Sequence, residues 1–213
     1  MQTRELTAML AAHVEPTPPA APGLGVLLAA AVGVAGALWI MFTWMGLRPD
    51  IAAAAGTPIF WTKLAFPITL GIVAVLTMTR LSRPGVPVAR VATLLPLPVL
   101  AVWMLSAGAL IIAPPAARHA MVWGETWMVC PLNIAGLAMP AFLATLWAVS
   151  RLAPTRTMAT GAVAGLLGGT VGAAVYALHC PEAGMAFLGI WYLLGMALPA
   201  AAGAMIGPRI LRW

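Results

Sequence analysis

The sequence predicts an all-α integral membrane protein: a bundle of six transmembrane helices, both termini cytoplasmic, with a short amphipathic helix in the N-terminal tail. Three observations predict it. The 213 residues are 62% hydrophobic and only 8% charged, with a mean hydropathy of +0.99, whereas a soluble domain carries about 25% charged residues. Six apolar stretches each have roughly the length of about 20 residues needed to cross the hydrocarbon core. The arginines are divided unevenly between alternate connections. This composition excludes a soluble globular enzyme, and it excludes disorder, which needs low hydrophobicity and high charge. Backbone groups in lipid must be satisfied internally, and the runs are too long and too uniformly apolar for the alternating strands of a barrel, so the spans are helices.

In chain order, residues 1–22 form a tail and residues 23–213 the transmembrane domain. Thr3 is a candidate N-cap, Glu5 suits a first helical turn, and Leu6, Met9, Leu10, His13 and Val14 recur at helical spacing on one face. Pro16, Pro18, Pro19 and Pro22 then stop this helix and form a stiff linker. So short a helix is marginal alone. One Arg and two Glu suit anionic lipid poorly, so helix-in-groove binding to a cytoplasmic protein through Leu6, Met9, Leu10 and Val14 is preferred to membrane docking.

The spans are expected at about 24–47, 59–79, 91–112, 128–149, 158–178 and 185–206. The first is too long for a signal-peptide core and is read as a retained span. Pro67, Pro96, Pro98, Pro140 and Pro199 fall within spans, where they should bend helices. Gly161, Gly165 and Gly169, with Gly168 and Gly172 alongside, should let a neighbouring helix of the same chain approach the fifth span closely.

Charge assigns the sides. Arg4, Arg80, Arg83, Arg90, Arg151, Arg156, Arg209 and Arg212 lie in the tails and the second and fourth connections, against Arg48 and Arg118 in the others. This is a positive-inside bias, and it places both termini in the cytoplasm. The net charge of +6 therefore reports topology, and no direct nucleic-acid partner is expected. Trp44, Trp61, Trp123, Trp127 and Trp191 should form a belt at the outer headgroups, with Trp213 at the inner face. Lys63, one turn into the second span, should snorkel to the outer interface, with an ion pair to an outer carboxylate as the alternative.

The outer side collects the reactive residues. Cys130 opens the fourth span and Cys180 closes the fifth, and each precedes a proline. Three readings stay open: a redox-labile or metal-reactive pair, a structural disulfide closing a loop of about 50 residues, or two unrelated core thiols. His179-Cys180-Pro181-Glu182 sets an imidazole, a thiol and a carboxylate side by side, and His119 and Glu125 precede Cys130 in the facing loop. Cys, His and Glu suit soft or borderline metals, so transient heavy-metal binding at Cys130 and Cys180 is a candidate, with no resident cofactor expected. A phosphate-binding Gly-rich loop, GxSxG and HExxH are all missing, and the spans carry no acids that would mark an ion pathway. An enzyme is not expected. A membrane thiol oxidoreductase or small transporter using the outer cysteines is the alternative to a regulator, although thiol catalysts usually carry a close CxxC pair.

Thr3-Arg4-Glu5-Leu6, Trp61-Thr62-Lys63, the His179-Cys180-Pro181-Glu182 turn, Trp191-Tyr192 and the closing Gly207-Pro208-Arg209-Ile210-Leu211-Arg212-Trp213 together resemble the NrsF family over essentially the whole chain. The family consists of six-span bacterial inner-membrane anti-sigma factors that hold extracytoplasmic-function sigma factors of the F type. The resemblance implies that the cytoplasmic N-terminal segment helps to keep the sigma factor from RNA polymerase. It also implies that two periplasmic-side cysteines, here Cys130 and Cys180, respond to heavy metals or oxidants. Extending that sensing role to His179 and Glu182 goes beyond what the resemblance implies.

Overall fold

A computed structural model of the chain describes residues 3–12, 21–83, 85–152 and 154–212. Among the described residues every regular element is helical. α1 (Thr3–Ala12) lies in the tail, and α2 (Ala21–Ile40) runs into a π-helical turn at Met41–Met45. A short α3 (Ile51–Ala55) precedes α4 (Pro58–Leu81), and α5 (Ala89–Ala92) precedes α6 (Pro96–Ile112). Then come α7 (Pro115–Trp123), α8 (Cys130–Ser150) and α9 (Thr157–Tyr176). The last span joins α10 (Met185–Phe187), a π-helical turn at Leu188–Tyr192 and α11 (Leu193–Ile210).

Six stretches are long and apolar enough to cross a membrane: Gly23–Met45, Pro58–Leu81, Ala89–Ile112, Cys130–Ser150, Thr157–Tyr176 and Met185–Ile210. Each agrees with its expected span to within a few residues. Two details differ. Pro96 does not bend a continuous third helix; it opens α6 after a turn at residues 93–95, because a proline's missing N–H costs nothing in the first turn. Pro22 likewise lies in the first turn of α2 rather than ending the linker. Pro67, Pro140 and Pro199 do sit inside helices.

The bundle is built around α9, which packs on α11, α8 and α4. Its glycines work on two faces. A Cβ at Gly161 or Gly165 would run into the backbone of Gly203 or of Pro199, and one at Gly169 would lie 2.8 Å from Met196 Cα, so this stripe lies backbone to backbone against α11. Gly168 and Gly172 meet α8 at Ala138 and Ile134. The expected small-residue packing within the chain is therefore present. Such approach matters in lipid, where helix association rests on van der Waals contact and not on expulsion of water.

The alternating helices define two ends. Arg80, Arg83, Arg90, Arg151, Arg156, Arg209 and Arg212 flank one, called here the arginine end; Cys130 and Cys180 lie at the other, the thiol end. α1 begins at Thr3 itself rather than being capped by it. Its described side chains, Leu6 and Met9 included, are exposed. Leu10 belongs to the helix, but its side chain lies outside the described residues, as do His13, Val14 and the linker to residue 20, and Trp213.

Candidate functional site at the thiol end

The turn between α9 and α10 is the centre of the thiol end, and four other parts of the chain hold it. Cys180 continues the backbone bonding of α9, its N–H donating to Tyr176 O at 2.9 Å. The Lys63 ammonium of α4 then donates to two carbonyls of the turn, Cys180 O and Glu182 O, each at 2.8 Å. Arg48, in the connection between α2 and α3, donates from Nη1 to the same Cys180 oxygen at 3.1 Å. Its own N–H reaches Leu178 O at 3.2 Å. His179 Nδ1 lies 2.9 Å from Gly46 O, tying the turn to the end of the first span.

The Glu182 side chain makes the fourth tie. Its Oε1 accepts from the backbone N–H groups of Glu125 at 2.8 Å and Thr126 at 3.0 Å, and from the Thr126 hydroxyl at 3.1 Å. The carboxylate can approach this closely because residue 124 is glycine. At φ +56° the backbone turns its N–H groups inward, and a Cβ there would sit 2.5 Å from Glu182 Oε2. Thr126 also accepts the Cys130 N–H at 2.9 Å. The two cysteines are thus joined through one short path: Cys130 backbone, Thr126, Glu182, Lys63 and the Cys180 carbonyl.

Both cysteines are free thiols, completely buried in one apolar cluster with Tyr176, Phe187 and Tyr192. Cys180 shares this cluster with Tyr192, and its carbonyl is held by the Lys63 ammonium. That ammonium lies 5.4 Å from the Tyr192 ring centre, and the hydroxyl has no hydrogen-bond partner.

Lys63 corrects both expectations for it. It does not snorkel, being only 4% exposed, and its bonding partners are backbone carbonyls, not a carboxylate. A buried ammonium loses several kcal/mol of hydration. Two short charge-assisted bonds and an aromatic face offset that loss here.

Arg48 forms the ion pair of this end, with both nitrogens of its fork 2.7 Å from the Asp50 carboxylate oxygens. The guanidinium holds the Asp50 carboxyl below the usual carboxylate value, chiefly through these hydrogen bonds. The pair's contribution is then complete above the ordinary carboxylate range and is lost as pH falls through the lowered value. Thermal unfolding across a pH series should therefore show a deficit for Asp50→Asn at neutral pH that shrinks toward zero in acid.

The expected cluster is assembled only in part. Cys130 and Cys180 share one buried cluster and Glu182 is tied to residues 125 and 126, but the His179 ring turns to Gly46 O, and Glu125 contributes its backbone while its side chain is exposed. His119 stands apart on α7, exposed and stacked 6.1 Å from Trp123. Among the described residues no group of three or more His, Cys, Asp or Glu is arranged to hold a metal ion. Trp123, Trp127 and Trp191 form one aromatic cluster. They pack on one another at 4.9–5.4 Å, and Trp191 Nε1 donates to Val122 O at 2.8 Å. Trp44 is 86% exposed.

Sequence reasoning missed the support around the last span. Its π-helical turn adds a residue and releases carbonyls. Side chains of α6 brace this region: Trp103 Nε1 donates to Gly189 O within the turn at 2.9 Å, and the Ser106 hydroxyl to Met185 O of α10 at 2.8 Å.

Comparison of the sequence with known proteins finds relatives along the whole chain. The NrsF family, described as negative regulator of sigma F, matches residues 10–213. The chain is 43% identical over 213 residues to a probable anti-sigma-F factor NrsF of Azospira oryzae, covering all of both chains. It is 34% identical over an alignment of 225 residues to the anti-sigma-F factor NrsF of Caulobacter vibrioides, again covering both chains completely. No solved structure matches the chain. With nearly every residue matched to the family and two relatives aligned end to end, the chain belongs to the NrsF family.

Proposed function

We propose that this chain is an anti-sigma factor that holds an extracytoplasmic-function sigma factor of the F type at the bacterial inner membrane and releases it when Cys130 and Cys180 meet heavy metal or oxidant. The full-length match to two proteins named as anti-sigma-F factors carries this reading. The arrangement of the chain supports the rest. In this reading the arginine end faces the cytoplasm, by the positive-inside bias. The tail then meets the sigma factor there, through Leu6, Met9, Leu10 and Val14. The thiol end faces the periplasm, where soft cations and oxidants arrive, and no contact with nucleic acid is required.

Moving the sigma factor from 99% held to 99% free requires the two states to differ by about 5.5 kcal/mol in affinity for it. A metal–dithiolate site or a disulfide made only in one state is of that order. The test is co-purification of the sigma factor with the full chain and with a chain lacking residues 1–15. Retention should be lost on truncation, and equal retention would overturn tail-mediated holding. In cells, a reporter of sigma activity should respond to metal or peroxide in wild type and fail to respond in Cys130→Ser and Cys180→Ser. Unchanged induction in both variants would overturn the sensing role.

A further inference from the structure

We propose that Lys63 is the positioning residue of the Cys180 thiol and the link that carries a change at that thiol into α4. This rests on Cys130 and Cys180 being the sensing pair, and it names the residue through which sensing leaves the thiols.

Three observations meet at Lys63. Its buried ammonium is bonded to the carbonyls of the residues that flank Pro181, Cys180 and Glu182, and no carboxylate bonds it among the described residues. The turn therefore cannot shift away from α4 without stranding a charge in an apolar cluster; it must take Lys63 with it. Cys180 lies within that turn, and its own carbonyl is one of the two that the ammonium holds. A bond formed at its sulfur, to a metal or to Cys130, turns the residue and with it the carbonyl that Lys63 and Arg48 share.

The second observation lies in the helix itself. Pro67 is four residues beyond Lys63 inside α4. Its missing N–H is the one that would have bonded the Lys63 carbonyl, so the helical ladder is open at the residue that grips the turn. The first turn of α4 can follow the thiol turn without breaking a helical bond at this point.

The third is room to move. α9 is locked to α8 and α11 by glycine contacts. Beside α4 lies an apolar groove of about 550 Å³ between α2 and α9, lined by Val34, Ile68, Gly71, Ile72, Val171 and Ala174. α4 thus borders an open apolar groove on one flank, and it runs from the thiol end to Arg80 at the arginine end. There Arg80, Arg83 and Arg156 surround a cavity of about 250 Å³. A displacement of α4 at Lys63 is delivered to that cavity, on the side where the tail begins.

The experiment uses the full chain in lipid nanodiscs, loaded with its sigma factor and titrated with Hg²⁺. Each cation bonds two sulfurs, and two thiol protons pass to the buffer. Metal occupancy is read from the thiols lost to titration after denaturation, and release as the fraction of bound sigma factor set free. Wild type should release its sigma factor as occupancy rises. Lys63→Met should bind the metal and release at least tenfold less at equal occupancy, and Lys63→Arg, which keeps donors toward both carbonyls, should recover most of the release. Should Lys63→Met fail to accumulate, Pro67→Ala decides. It closes the ladder without touching the thiol turn and should raise the Hg²⁺ needed for half release at least threefold. Wild-type release by Lys63→Met, or in its absence by Pro67→Ala, overturns the proposal. A wild-type chain that keeps its sigma factor at full occupancy overturns the sensing role itself, and this inference with it.

Discussion

Gly165→Leu should abolish accumulation of the folded chain or lower its thermal unfolding temperature sharply. The Cβ alone would run into the Pro199 carbonyl and lie 2.8 Å from Ala200 Cα, and a backbone cannot rotate away as a side chain can. Overpacking of a buried site costs typically about 1–3 kcal/mol. With backbone as the obstacle and the rest of a leucine still to place, the effect belongs at or above the top of that range. The control is Gly136→Leu on α8, where a Cβ meets nothing within 4 Å. It should change stability by no more than about 0.5 kcal/mol or raise it slightly, since leucine is the better helix former. Size-exclusion profiles of heated, detergent-extracted chains separate the two. Equal behaviour would mean that the α9–α11 contact contributes little to holding the bundle.

Glu182→Ala should be the most damaging single change in the thiol-end loops. One carboxylate oxygen accepts three donors, two of them backbone N–H groups of residues 125 and 126, and alanine leaves all three without that acceptor. Hydrogen bonds to a charged group contribute about 1.5–3 kcal/mol each when well shielded. Glu182 is only half-buried, so a total loss of about 2–3 kcal/mol is the reasonable size after screening. Glu182→Gln keeps an acceptor oxygen and should lose about half as much. Hydrogen exchange at residues 124–126 should rise in both, more in the alanine variant. Unchanged protection there would show that the loop is held by its tryptophans instead.

The spans were legible because hydropathy is summed over some twenty residues and does not depend on any one. The convergence of Cys130 and Cys180 was legible for a related reason: helices that alternate in direction must return residues 130 and 180 to the same end. The placement of Lys63 was not legible. Its partners are carbonyls, which every residue carries, so nothing in the side-chain pattern points to them; snorkelling and a carboxylate pair were the natural alternatives. Gly124 was hidden for the same reason, because a glycine in a loop does not reveal which carboxylate will occupy the space a Cβ would take. The histidines show the opposite error. His119 and His179 belong to the same compositional cluster, yet α7 holds one exposed beside Trp123 while the α9–α10 turn uses the other on Gly46. Proximity in composition carried no information about which helix intervenes.

The burial of α9 has a consequence for biogenesis. Two thirds of its apolar window, 67%, is covered by the rest of the chain, and its glycine stripe presents bare backbone until α11 covers it. α11 is synthesised after α9. During translation α9 must therefore wait, half-covered by α8, with one face against lipid or the insertion machinery. The turn that carries Cys180 lies between these two spans and takes its final shape only when they close. Cys130 and Cys180 of a nascent chain are consequently less enclosed than those of the folded one, and their buried setting is complete only once α11 has docked on α9.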